Sequence, residues 1–267
     1  MRIRITHRTE YRYERPLSYG LQELRLTPKN RPGQQVLNWA THLEGGQLEA
    51  EFDDQHMNHV TLISFAGEGH EIVVTSEGEV EPADTGGVLG RHQGFAPLWL
   101  FERPTDLTRA GNLTRKLIKG LPADLPEELP RLHALSQRII EAVEYRTGQT
   151  GAGTTAEMAL DQGQGVCQDH AHIFLAAARA MGIPARYVSG YLMMNDRVRQ
   201  EATHAWAEAH LEGLGWVGFD VSNGISPDDR YVRVATGLDY SEAAPVSGLR
   251  FGDHGKESLA VDIQVQQ

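Results

Sequence analysis

Apolar and polar residues alternate from the start of the chain. Met1, Ile3, Ile5, Tyr11 and Tyr13 fall on one face of an extended segment, and Arg2, Arg4, Arg8, Glu10, Arg12 and Glu14 on the other. This spacing predicts a strand with one buried face. Shorter runs of the same kind follow at residues 22–28, 35–44, 59–67 and 70–80, separated by turn-forming stretches such as PKNRPG and EGGQ. Closely spaced strands with such punctuation predict an antiparallel sandwich or open barrel over the N-terminal part.

Beyond residue 80 the pattern changes. Pro82, Pro97, Pro104, Pro122, Pro126 and Pro130 interrupt a stretch with one predicted helix, near residues 106–119. A boundary within 85–105 is expected, giving a β-rich unit over 1–100 and a second unit over 101–267. Leu132, Leu135, Ile139, Ile140 and Val143 recur at helical spacing and predict an amphipathic helix over 127–145. A Gly- and Thr-rich loop with a helical turn at 157–161 then leads to Cys167. Ile173, Phe174, Ala177, Ala178 and Met181 keep one apolar face through the next helix, which Gly182 and Pro184 bring to an end. Three strands are predicted after it: ARYVSGYLMM, HAWAEAHLEG and GWVGFDVSN, with Gly213 and Gly215 turning the last pair. The fold class is therefore α+β, with helices preceding an antiparallel sheet in the second unit.

Composition narrows the function. Hydrophobic residues at 40% and charged residues at 23% of 267 fit an ordinary globular protein and exclude fibrous or largely disordered classes. With 25 Lys and Arg against 36 Asp and Glu, the net charge of −11 repels a phosphate backbone, so nucleic acid is not expected as a partner. No apolar run is long enough to span a membrane, and the first residues lack the apolar core of a secretory leader, so neither a membrane nor export is expected and the cytosol is the expected compartment. The single cysteine, Cys167, rules out an intrachain disulfide and a Cys-rich zinc site.

Cys167 falls in the first turn of its helix, where the macrodipole and unpaired N–H groups favour a thiolate and can hold an oxyanion. Gly165 removes bulk where an acyl group would approach the sulfur. Position alone favours an inert buried cysteine. The downstream strands add a reason for chemistry. Alternation places His204, Trp206, Glu208 and His210 on one face and Ala205, Ala207 and Ala209 on the other, where small residues can meet a helix. The hairpin returns Asp220 toward His204, so a carboxylate can fix the imidazole that serves the thiol. Glu208, two residues along the same strand, cannot sit behind the His204 ring.

The runs GQGVCQDHAHIFLAAARAMGIPARYVSGYL and THAWAEAHLEGLGWVGFDVSN closely resemble the bacterial transglutaminase-like proteins, many of them described as cysteine proteases. The opening, with its alternating Thr and Tyr and the later LRLTP, resembles the β-rich N-terminal region of such proteins. The resemblance implies a papain-like transglutaminase core with Cys167 as nucleophile, His204 as base and Asp220 as orienting acid. One departure is that Val221 and Ser222 follow Asp220 where the family usually has Pro-Thr. Tyr145, Asp169 and Trp206 are candidates for the substrate cleft, although each also suits a structural role. His170 and His172 lie two apart on a helix and cannot share one ion, so no metal is expected, nor any cofactor. His56 and His59 read as turn and strand-edge residues.

The expected activity is thiol-dependent hydrolysis of an amide in a peptide or protein substrate. Transfer of the acyl group to an amine, as in a protein-glutamine transglutaminase, is the alternative, and a non-catalytic peptide-binding module on the same fold is another.

Overall fold

The computed structural model describes residues 1–16, 18–66, 69–252 and 255–267. The N-terminal elements are β1 (Ile3–Tyr13), β2 (Tyr19–Thr27), β3 (Gln34–Glu44), β4 (Gln47–Asp53), β5 (His59–Phe65), β6 (Glu71–Pro82) and β7 (Val88–Gly90). A 3₁₀ turn at Leu98–Glu102 precedes α1 (Asn112–Ile118), α2 (Leu121–Asp124) and α3 (Glu128–Ala142). Next come β8 (Glu144–Tyr145), α4 (Ala156–Gln162), β9 (Gln164–Gly165), α5 (Cys167–Ala180) and β10 (Ala185–Leu192). The chain ends with β11 (Arg199–Gln200), β12 (His204–Leu211), β13 (Gly215–Phe219), β14 (Tyr231–Gly237), α6 (Tyr240–Ala243), β15 (Val246–Phe251) and β16 (Glu257–Gln266). The expected α+β architecture is present, and residue 67, the end of one predicted run, lies outside the described residues.

Two N-terminal sheets, ordered β11-β16-β1-β6-β3 and β15-β2-β5-β4, form a sandwich. Leu24, Leu26 and Ile63 of the smaller sheet meet Val74 of the larger one in a shared core. The odd-numbered residues of β1 are buried throughout, as their alternation predicts. Tyr11 and Tyr13 pack with Phe65 and Ile72, while Ile3 and Ile5 pack with Tyr191, Val232 and Val234. One face of β1 thus joins both the sandwich and the second unit.

The second unit is a sheet ordered β14-β10-β12-β13-β7 with α5 across one face. Ala205, Ala207 and Ala209 of β12 share a core with Ala171, Phe174 and Ala178 of α5, so small residues let the helix approach the sheet. Two side-chain amides join the units along β14. Gln34 donates to the Arg233 carbonyl and accepts from its N–H (2.9 and 2.8 Å), and Asn58 does the same at Thr236 (2.7 and 2.8 Å). These amides take the place of a neighbouring strand on an otherwise open edge.

Several boundaries differ from expectation. The helix predicted over 106–119 begins only at Asn112, because the Thr105 and Thr108 hydroxyls take backbone N–H groups and hold a turn there. Its first turn is instead served by Glu157, which accepts from the N–H groups of Gly111, Leu113 and Thr114 (3.0, 3.0 and 2.8 Å). The helix over 127–145 stops at Ala142, and Glu144–Tyr145 pair in parallel with Gln164–Gly165. Strand pairing also crosses the expected 85–105 boundary in both directions. β7 joins the second unit's sheet, whereas β11, β15 and β16 return to the N-terminal sheets.

Candidate active site

α5 begins at Cys167, after Val166 in extended conformation. Val166 has no polar side chain, so no side-chain cap occupies the first-turn N–H groups. Asp169 turns back instead, and its Oδ2 accepts from the Val166 N–H (2.7 Å) and the Thr150 hydroxyl (2.6 Å). A Cβ on Gly165 would lie 2.7 Å from the Asp169 Cβ. The expected reason for Gly165, access of an acyl group to sulfur, is therefore replaced by a closer one: the Asp169 side chain fills that space.

His204 opens β12 and Asp220 follows β13, as the hairpin argument requires. His204 Nε2 and Asp220 Oδ2 are 2.6 Å apart, and both side chains are buried. The Cys167 side chain adjoins the His204 ring closely enough to favour its protonated form. With Nε2 engaged by Asp220, Nδ1 is the nitrogen left for the sulfur. Asp220 is held from further directions: Tyr231 donates its hydroxyl to Oδ2 at 2.7 Å, and Asn223 donates its amide to Oδ2 at 2.7 Å and its backbone N–H to Oδ1 at 3.3 Å.

Burial works against a charged His204, but the hydrogen bond to Asp220, the neighbouring Cys167 and the charges of both outweigh it and raise the imidazolium pKa to about 10. The opposite balance holds for Asp220. Burial opposes its charge, while the bond and charge of His204 lead the effects that hold its carboxyl below the ordinary range. The raised His204 pKa contributes stability that is complete below its ordinary value of 6.5 and is lost as pH rises through about 10. The Asp220 contribution runs the other way and is lost as pH falls below the ordinary carboxylate range. Replacing His204 by Gln should therefore lower Tm most near pH 6 and progressively less toward pH 10. Thermal melts of both proteins across that range check this, and a constant difference would contradict it.

Among the cleft candidates, Tyr145 stands half-exposed beside Gly165, and its hydroxyl is pushed up to about 12 by burial first and then by the charges of Cys167 and Asp220. Asp169 is buried, with Oδ1 lacking a hydrogen-bond partner among the described residues. Trp206 is buried with Val188, Leu192 and Tyr231 and stacks against His204 (centroids 6.2 Å apart), so it supports the imidazole from behind. Gly190 makes room for that ring, since a Cβ there would lie 2.8 Å from the indole.

His170 and His172 diverge. His170 bonds Ser222 Oγ (2.9 Å) and the Val143 carbonyl (3.1 Å), while His172 Nε2 accepts from the Tyr240 N–H (3.2 Å). Burial lowers both, His172 to about 4, and leaves them neutral near pH 7. No group of three or more His, Cys, Asp or Glu side chains suited to a metal occurs among the described residues. His56 pairs with Glu242 at 2.7 Å and His59 lies beside Glu51 at 3.4 Å.

Glu208 is fully buried between Arg186 (2.6 Å) and Arg233 (2.8 Å) and is not bonded to His204. Burial opposes its charge, but the two guanidiniums hold its carboxyl below the ordinary range. Glu208→Ala should cost about 3–5 kcal/mol in a urea titration because it leaves buried cations uncompensated. An unchanged midpoint would show that the pair carries no stability.

Sequence reasoning missed Asn223 and Tyr231. Asn223, three residues after Asp220, is a turn-former whose position was a usable signal. Tyr231 comes from a distant strand and gave none. At the departure after Asp220, Ser222 ties that loop to His170, and Asn223 just beyond it ties the loop to the acid itself.

Residues 112–221 match the model of the transglutaminase-like superfamily, and residues 3–81 match that of the bacterial transglutaminase-like N-terminal region. An uncharacterized protein of Mycobacterium leprae is 30% identical over 277 residues, covering 99% of this chain and 98% of the relative. The chain belongs to the transglutaminase-like superfamily. The crystal structure of a putative cysteine protease from Cytophaga hutchinsonii shares the fold of this transglutaminase-like protein, with a TM-score of 0.76 at 22% identity, covering 100% of this chain and 91% of the other. A protein-glutamine gamma-glutamyltransferase of Pseudomonas aeruginosa is 29% identical over 153 residues, 48% of this chain and 22% of its own length. No helix among the described residues is long and apolar enough to cross a membrane.

Proposed function

We propose that this transglutaminase-like protein is a cysteine hydrolase that cleaves an amide in a peptide or protein through Cys167, His204 and Asp220. The observation that carries this reading is His204, hydrogen-bonded to Asp220 with the Cys167 side chain beside its ring. An imidazolium beside a cysteine stabilises its thiolate. The sulfur of Cys167 attacks the carbonyl carbon, and the first-turn N–H groups of α5 receive the developing oxyanion. His204 gives its proton to the departing amine as the C–N bond breaks, leaving a thioester. Water then attacks the thioester, His204 takes its proton, and the acid product leaves with the sulfur restored. Asp220 holds the ring in the tautomer and orientation that both steps need. Neither a metal nor a cofactor enters these steps.

The Pseudomonas relative favours one alternative, in which an amine replaces water as acceptor. Incubation with a peptide library, with and without a primary amine, followed by mass analysis, separates the two. Hydrolysis gives cleaved or deamidated products in both arms, and transfer gives amine adducts. If neither forms, the enzymatic reading fails and a peptide-binding role takes its place.

A further inference from the structure

A cavity of about 50 Å³ lies between the N-terminal turn at residues 31–34 and the second unit's sheet, on the face of β12 opposite α5. Arg31, Gln34, Trp206, Glu208, Tyr231 and Arg233 contribute to its lining. The turn is fixed in place, since Arg31 and Gln34 exchange backbone hydrogen bonds (2.9 Å each) and the Gln34 amide grips Arg233. Arg31 is thereby held in the wall.

The charges around it are unbalanced. Glu208 is shared by Arg186 and Arg233, and both of those guanidiniums repel Arg31, outweighing the weaker attraction of Glu208 and Asp53. Other carboxylates near the turn and cavity have their own cations: Asp228 with Arg230 at 2.6 Å and Asp53 with Lys29 at 2.7 Å. Nε and Nη2 of Arg31 are buried with no hydrogen-bond partner among the described residues. A guanidinium keeps its proton at neutral pH, so an anion rather than proton loss relieves such a site. Those two nitrogens form one edge of the guanidinium, the fork that matches both oxygens of a carboxylate. Arg230 uses the same edge to hold Asp228, Nε to Oδ1 at 3.0 Å and Nη2 to Oδ2 at 2.6 Å.

We propose that this cavity is a binding site for a carboxylate, gripped side-on by Nε and Nη2 of Arg31. The cavity admits a carboxylate head or a few waters and nothing much larger. Cys167 is not among the lining residues, although Trp206 and Tyr231, which contact His204 and Asp220, form part of the wall, and the proposal does not depend on the chemistry at Cys167. Its ligand is either a small free acid or the acidic side chain of a peptide.

Calorimetric titration of the full-length Cys167→Ala protein tests this, with glutarate as the free acid and acetyl-Ala-Glu-Ala-amide as the peptide. Saturable binding of either probe, weakened about tenfold or more by Arg31→Met, is the expected result and identifies the source. Arg31→Lys, which keeps the charge and loses the fork, should weaken binding as well. Without ligand, Arg31→Met should melt no lower than its parent, because it removes a buried unpaired charge. Absence of binding by both probes, or equal binding by the Arg31 variants, would overturn the proposal. So would Arg31-dependent binding of inorganic phosphate alone. Because the titration is done without the cysteine, failure of the hydrolase reading leaves its outcome intact.

Discussion

Cys167→Ala should reduce amide turnover to the uncatalysed background while leaving the fold in place. In the proposed mechanism the sulfur forms and releases the acyl bond, and no other cysteine exists in the chain to replace it. The structural cost is small. The side chain loses one atom at the edge of the helical core, and His204 keeps its bond to Asp220. Circular dichroism and a melt should therefore resemble those of the unmutated protein, with product formation absent on any peptide the unmutated protein cleaves. Turnover by a well-folded alanine variant would remove Cys167 from the mechanism.

Asp220→Asn should lower kcat/KM by roughly one to three orders of magnitude, short of the loss at Cys167. An amide in place of the carboxylate presents a donor as well as an acceptor to the ring and carries no charge to stabilise the imidazolium. Tyr231 and Asn223, which now donate to Asp220 Oδ2, would compete for the single remaining oxygen. His204 should lose much of the elevation that holds its pKa near 10, and activity should become sensitive to pH in the neutral range. A kcat/KM profile against pH for both proteins checks this. Unchanged activity with an unchanged profile would make Asp220 a strand-end residue only.

Local pattern carried the parts of the fold that obey a single period. The alternation in β1, the helix from Cys167 to its Gly182 stop, and the β12–β13 hairpin all depend on neighbouring residues, and all occur as read. The hairpin mattered most, because returning Asp220 to His204 follows from alternation and one turn. Pairings between distant segments were not legible. ESLAVDIQVQ alternates as a strand should, yet nothing in it says that it lies beside β1. Likewise β4 carries Leu48, Ala50 and Phe52 in alternation but lies exposed along its whole length as an edge strand. The Asn58 and Gln34 clamps on β14 and the Tyr231 bond to Asp220 depend on such distant placement. They became visible only once the chain was folded.

The most direct test of the account is the rate at which iodoacetamide alkylates Cys167 at neutral pH, followed by intact mass on the native protein. One rapid adduct is predicted in the unmutated protein, slowed about tenfold or more in a folded His204→Ala variant, because the imidazolium then no longer stabilises the thiolate. Slow labelling at the same rate in both proteins, becoming rapid only in denaturant, would show a buried thiol without an activating partner and contradict the account.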